Sequence, residues 1–390
     1  MVKRLLFCLP LALAIAQGAF AQTPADQAPP IDAKHQKDID ADVAQGKDLV
    51  KQVEKYYKIS KDQAMQDRVK KIGDQMAAIA NKTKIDALWG DKRFSKFDYD
   101  FTVLDGKDVN AFSLPGGHIY VYEGLMKFVQ TDDELAAVLG HEISHASLRH
   151  VATLQREASK AQAIEIPLIL ATILKGGRSS GDVFQGIVLA QNGIFSGWSI
   201  KAEKAADYGG FQYMRKSPYN TTACLTVVER LAQEERANPQ LDVDWGIFRT
   251  HPPSEERVAA ILKDIEVAKV PIQRSAVTTS LSTHLKKTDE GVQAWFGEQL
   301  LYTFTGDDAQ TRADDAMKRL NPFFDSVPQM FDVEVKGSTI IGDHKVLFDI
   351  DPADAGRART TVSQLATKTL ASIKGALYKL NFSVWQPGLP

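Results

Sequence analysis

Met65, Val69, Ile72, Met76 and Ile79 step along the chain by four and three residues, the spacing of one buried stripe on an α-helix. Another helix precedes it, after residue 35. Over residues 99–104 the pattern turns to that of a strand, and over 117–122 it alternates again, with Ile119 and Val121 on one face and His118, Tyr120 and Tyr122 on the other. Leu114-Pro115-Gly116-Gly117 between them reads as a turn. The next helix opens at Thr131, whose side chain can cap while Glu134 reaches back; Asp132 and Asp133 suit a helix N-terminus. It is expected to run past His150, and further helices follow over about 199–215 and 221–235.

Two apolar stretches, 166–174 and 183–198, flank a Gly- and Ser-rich connector. The first is too short to span a membrane and the second carries Gln185, Gln191 and Asn192. They read as a pair of buried or half-buried helices, with a hydrophobic flap lining a substrate groove or touching a membrane face as the sharper alternative. Periodicity is lost over 270–287, where Ser and Thr accumulate, so a domain boundary is placed there. Beyond it, 331–335 and 345–350 read as strands around turns at Gly337 and Gly342, followed by a helix over 353–380 and a last strand at 382–385. The expected organisation is a leader over 1–21, a mobile lead-in over 22–35, a main domain over 36–270, a linker over 271–287 and a small α+β domain over 288–390. The fold class is α+β.

Composition adds exclusions. At 390 residues, 44% hydrophobic and 25% charged, the chain is neither disordered nor collagenous and is long enough for about two domains. Residues 1–21 combine Lys3 and Arg4, an apolar run and the ending Ala19-Phe20-Ala21, which is the pattern of a secretory signal peptide cleaved before Gln22. An anchor is the alternative, but the run is shorter than the ~20 residues a spanning helix needs. Removing the leader leaves 45 basic against 49 acidic residues, a net charge of −4, and nothing points to nucleic acid. Cys8 departs with the leader, so Cys224 is alone in the mature chain and no internal disulfide forms. Cys224 shares a helical face with Val227, Val228 and Leu231 and reads as inert core.

The informative stretch is His141-Glu142-Ile143-Ser144-His145. Residues four apart lie one turn up on the same helical face, so both imidazoles can reach one zinc ion while Glu142 projects beside them toward a water. The alternative is a satisfied structural pair of histidines. A catalytic zinc usually has three protein ligands and an open position. Glu203 can be the third ligand, and Asp207, four residues on, can accept a hydrogen bond from the far nitrogen of a liganding histidine. Taken alone, two acids at helical spacing are a solvated face.

Four blocks then carry a resemblance: Asn110-Ala111-Phe112-Ser113-Leu114-Pro115-Gly116-Gly117-His118-Ile119-Tyr120-Val121; His141 to His145; Glu203 to Asp207 followed by Gly210; and His251-Pro252-Pro253-Ser254-Glu255-Glu256-Arg257. In this order, over about 40–265, the chain resembles the HtpX and CAAX-prenyl-protease (Ste-type) family of zinc metallopeptidases, most closely its soluble periplasmic, BepA-like branch. The resemblance implies a mainly helical gluzincin domain with a small sheet, in which His141, His145 and Glu203 hold one Zn2+ and Glu142 is the general base. It also implies that a substrate lies extended along the segment Asn110, Ala111, Phe112 and Ser113. It says nothing about residues 286–390.

The reaction expected is attack of a zinc-activated water on a peptide carbonyl, with Glu142 taking the proton and passing it to the leaving amine. Backbone pairing of an extended substrate reads shape more than sequence. The reading is therefore a periplasmic zinc endopeptidase acting on unfolded or misassembled envelope proteins, with peripheral contact to the membrane or the outer-membrane assembly machinery as a further expectation. A zinc-dependent holdase or assembly factor with latent proteolysis is the alternative; an exopeptidase and a structural zinc protein are further ones. His251 sits in a proline-held turn, which fixes a side chain in space. It can assist the oxyanion, bind the open metal position as a plug, or merely pack; the resemblance favours a place near the metal.

Overall fold

The computed structural model describes residues 28–160, 196–237, 255–326 and 328–380. The leader, residues 22–27 of the lead-in, residues 166–195 of the apolar stretches, His251 and the strand expected at 382–385 lie outside the described residues.

Helix α1 (Ala33–Tyr56) starts within the expected lead-in, because the Asp32 carboxylate accepts from the backbone N–H groups of Lys34 and His35 and caps it there. Helix α2 (Gln63–Ala80) buries Val69, Ile72 and Met76, the stripe its spacing predicts. Strands β1 (Asp100–Leu104), β2 (Ala111–Leu114) and β3 (His118–Tyr122) form one sheet in the order β1-β3-β2, with β1 parallel and β2 antiparallel to β3. The alternation in β3 sorts as expected. Ile119 and Val121 enter the main core, whereas Tyr120 and Tyr122 join Val53 of α1 and Leu104 on the other face.

After the short helix α3 (Glu123–Phe128) comes α4 (Asp132–Ser147), the centre of this half of the molecule. Leu135, Ala136, Leu139 and Ile143 are fully buried, and small residues on several faces let α2, α6 (Ser196–Met214) and α7 (Ala223–Ala237) pack around it. Thr131 caps it by accepting from Glu134 N. Glu134 does not close a reciprocal box on Thr131. Its carboxylate accepts from Gln130 N, 2.8 Å away, and is held by Thr226 and by Arg230 of α7, which fixes the start of α4 against its neighbour.

The helix does not continue through His150. Leu148 closes it, Arg149 adopts φ 52°, and α5 (His150–Lys160) begins in a new direction. A left-handed arginine costs about 1–2 kcal/mol. Its buried guanidinium offsets this with bonds to Asp42 at 2.5 and 3.0 Å, Asp91 at 2.9 Å and the Asp38 carbonyl at 3.0 Å.

Helix α8 (Glu255–Ala268) completes the first core. The Ser- and Thr-rich stretch over 271–287 is not a loose linker in structure. Val277 belongs to the first core and Leu281 to the second, and strand β4 (Thr283–Thr288) already begins inside it. Arg274, fully buried, bonds Glu229 of α7 at 2.6 and 2.9 Å and the Phe324 carbonyl at 3.2 Å. Periodicity is absent because hydroxyls here are taken up by hydrogen bonds: Ser282 Oγ donates to Thr278 O, and Thr278 Oγ1 donates to the side-chain oxygen of Gln130 just before α4.

Beyond lie two antiparallel sheets. In the first, β4, β5 (Gly291–Phe296) and β6 (Gln299–Phe304) follow in order, and in the second β7 (Val333–Lys336), β8 (Thr339–Gly342) and β9 (Lys345–Asp349) do the same. Helix α9 (Ala309–Asp325) runs between them in sequence, burying Ala313, Ala316, Leu320 and Phe324. Gly342 ends β8 instead of forming the turn; the hairpin bends at Asp343 and His344, both at positive φ. The single helix expected over 353–380 is two. Asp351 caps α10 (Pro352–Arg357), Arg359 breaks it at φ 55°, and Thr361 accepts from Gln364 N as α11 (Val362–Leu380) starts.

Candidate metal centre

The capped α4 carries His141 and His145 one turn apart, and α6 crosses beside it with Glu203 and Asp207 at the same spacing. The crossing is close because glycines meet there. A Cβ on Gly210 would stand 3.0 Å from His141 N and 3.2 Å from Gly140 C, so α6 lies nearly on the α4 backbone. Gly210→Val is therefore expected to prise the helices apart and weaken metal affinity by about tenfold or more, measured by competition with a chromophoric chelator.

Among the described residues, His141, His145 and Glu203 form a group able to hold a metal ion, with their donor atoms within 4.8 Å of one another. His141 Nε2 is 3.0 Å from His145 Nε2 and 3.3 Å from Glu203 Oε2, and His145 Nε2 is 3.4 Å from Glu203 Oε1. Ligands held at about 2.0–2.1 Å in a tetrahedral shell are spaced roughly 3.3 Å apart. Donor types and spacing thus fit a zinc-sized cation. The far nitrogens of both histidines are engaged. His141 Nδ1 lies 2.9 Å from Asp207 Oδ1, the contact expected of Asp207, and His145 Nδ1 lies 2.9 Å from His150 Nδ1.

Charge in the cluster points the same way. Burial opposes a proton on His141, yet hydrogen bonds to Asp207 and Glu203 push its pKa up to about 10. Without metal, an imidazolium neutralises acids that a dication would otherwise satisfy. Burial also pushes against ionisation of Asp207, but Arg257 and His141 hold its carboxylate down to about 2. Glu142, between the two histidines in sequence, is buried and near enough to Arg257 to raise the pKa of the guanidinium, against burial and together with Asp207 and Glu203.

Two residues here were given no role from the sequence. Arg257 of α8 donates from Nε and Nη2 to the two oxygens of Asp207, both at 2.7 Å, and reaches Glu203 Oε2 at 3.3 Å. Its place in the His251–Arg257 block was the available signal. His150 was hidden by the expectation of an unbroken helix. His251, read as oxyanion donor or plug, lies outside the described residues. The proposed substrate segment is placed on the sheet: Asn110 is buried, and Ala111, Phe112 and Ser113 belong to β2, an edge strand that contacts α4. Cys224 is buried in the core, and burial raises its thiol pKa.

The model of Peptidase family M48 matches residues 66–265. Mitochondrial metalloendopeptidase OMA1 of Schizosaccharomyces pombe is 30% identical over 181 residues, 46% of this chain and 51% of that protein. The beta-barrel assembly-enhancing protease of Yersinia pestis is 26% identical over 225 residues, 57% and 43% of the two chains. Metalloprotease LoiP of Escherichia coli is 31% identical over 162 residues, 42% and 61%. The aligned part is about half the length of these curated relatives.

Proposed function

From the premise that the chain belongs to peptidase family M48, a family of metallopeptidases, we propose that it is a zinc-dependent endopeptidase of the periplasm acting on unfolded or misassembled envelope proteins. The observation that carries this is the convergence of His141, His145 and Glu203 on one point beside Glu142. In this reading the centre is a gluzincin site that holds one Zn2+. Zinc, when bound there, polarises a substrate carbonyl and acidifies a water. Glu142 would take a proton from an attacking water and return it to the departing amine. Asp207 holds His141 by its far nitrogen, and Arg257 keeps Asp207 ionised and in place and lies 3.3 Å from Glu203. Asn110, Ala111, Phe112 and Ser113 bind the substrate main chain along the β2 edge, which suits extended, unfolded segments of varied sequence.

The periplasmic location is supported by the leader composition, and among the described residues no helix is long and apolar enough to cross a membrane. The name of the Yersinia pestis relative supports envelope substrates and contact with outer-membrane assembly. It also favours a second reading, an assembly factor or holdase whose proteolysis is latent. We further propose two units, a peptidase over 36–270 and a C-terminal unit over 288–390, supported by the two separate cores that divide between Val277 and Leu281.

Casein and a peptide blocked at both ends test the activity. Cleavage of both is expected with zinc present, lost after chelation and restored by zinc. An intact blocked peptide beside degraded casein would indicate an exopeptidase, and no cleavage of either, with aggregation of an unfolded client still suppressed, the holdase.

A further inference from the structure

His145 and His141 present different groups behind the metal position. The far nitrogen of His141 meets a carboxylate, whereas that of His145 meets a second imidazole at 2.9 Å, ring centroids 4.8 Å apart and interplanar angle 86°. His150 is 3% exposed. Arg149 places it, because the positive φ turns the chain back and the bonds of its guanidinium to Asp42 and Asp91 hold that turn. The loop before β1 closes over the ring. Trp89 packs on it at 4.9 Å, Asp91 N donates to Leu148 O at 2.7 Å, and Gly90, at φ 102°, comes so near that a Cβ would stand 3.0 Å from His150 Nε2. An imidazole confined on every side in this way has one orientation, with Nδ1 toward His145.

We propose that His150 is a positioning residue for the metal centre: its Nδ1 accepts a hydrogen bond from His145 Nδ1–H, fixing that ring with Nε2 toward the ion. A histidine that binds metal through Nε2 carries its proton on Nδ1, so His145 is the donor and His150 carries its own proton on Nε2. The acceptor is neutral, unlike Asp207 behind His141, so the ligand is oriented without adding a further carboxylate to buried Glu142, Glu203 and Asp207. A chain of contacts then runs from Asp42 of α1 through Arg149 and His150 to His145.

This inference rests on the metal-centre reading above. Its test is zinc affinity of the full chain, by chelator competition, for the unsubstituted protein, His150→Phe and His150→Asn. Phe keeps a ring against Trp89 but no acceptor, and zinc affinity is expected to fall by about 10- to 100-fold while the melting temperature of the metal-free protein holds. Asn, whose Oδ1 stands where Nδ1 stood, is expected to restore most of the affinity. Zinc binding by His150→Phe as tight as in the unsubstituted protein would overturn the proposal alone, as would an Asn variant as weak as the Phe one. An unsubstituted chain that takes up no zinc would overturn the metal centre itself. Should His150→Phe not fold, nitrogen-15 imidazole spectra of the zinc-loaded, unsubstituted chain decide. A proton on His150 Nε2 and a coupling across the two Nδ1 atoms are expected, and a proton on His150 Nδ1 would refute it.

Discussion

Glu142→Gln is expected to keep the zinc content of the unsubstituted protein and to lose hydrolysis by about 10²- to 10⁴-fold. The amide has the shape of the carboxylate but cannot take a proton, and Glu142 is not among the three grouped donors. His141→Ala removes a donor and leaves Asp207 and Glu203 facing a void. That variant should lose metal and activity together. Metal analysis beside casein hydrolysis separates the two, and a Glu142→Gln protein that turns over at the native rate would refute the assignment of the base.

Arg257→Met should be the most destabilising change at the site. Arg257 is 3% exposed, and Asp207 and Glu203, its partners, are 7% and 2% exposed. Removing one member of a buried ion pair typically costs 3–5 kcal/mol, roughly, because the remaining charge has neither water nor partner. Here two carboxylates lose a shared cation, and the His141 imidazolium remains beside both when metal is absent. The loss should therefore be larger without zinc than with it, since the ion replaces part of the missing charge. Denaturant unfolding with and without zinc measures both. Lys is expected to rescue poorly, because Nε and Nη2 address the two Asp207 oxygens at once and an ammonium cannot reproduce that fork. Equal destabilisation in both states would mean that Arg257 packs and does not balance the charge of the centre.

Elements that make their contacts within a few residues were legible. The α2 stripe, the Thr131 cap and the alternation in β3 are local patterns, and each appears where its periodicity places it. The C-terminal region was read less fully. Strands β4 to β6 went unread because buried Gln293 and Ala294 interrupt the alternation of β5, and α9 went unread although Ala309, Ala313, Ala316 and Leu320 keep helical spacing. Over 271–287, buried Arg274 and the hydrogen-bonding hydroxyls resemble a polar linker until Glu229, Phe324 and Gln130 are brought to them.

At the site itself the division follows the range of the interactions. The sequence by itself determined that His141 and His145 stand one turn apart on one face with Glu142 next to them, because a helix repeats every 3.6 residues. Glu203 and Asp207 were readable for the same reason as a pair, though only the Gly140–Gly210 crossing brings them to the histidines. His150 shows what only the tertiary structure could decide. In a continuous helix, five residues at about 100° each would put it roughly 140° away from His145. Asp42, more than a hundred residues earlier, and Asp91 instead bind Arg149 and bend the chain, and that long-range ion pairing, invisible to any local period, returns His150 to the metal side.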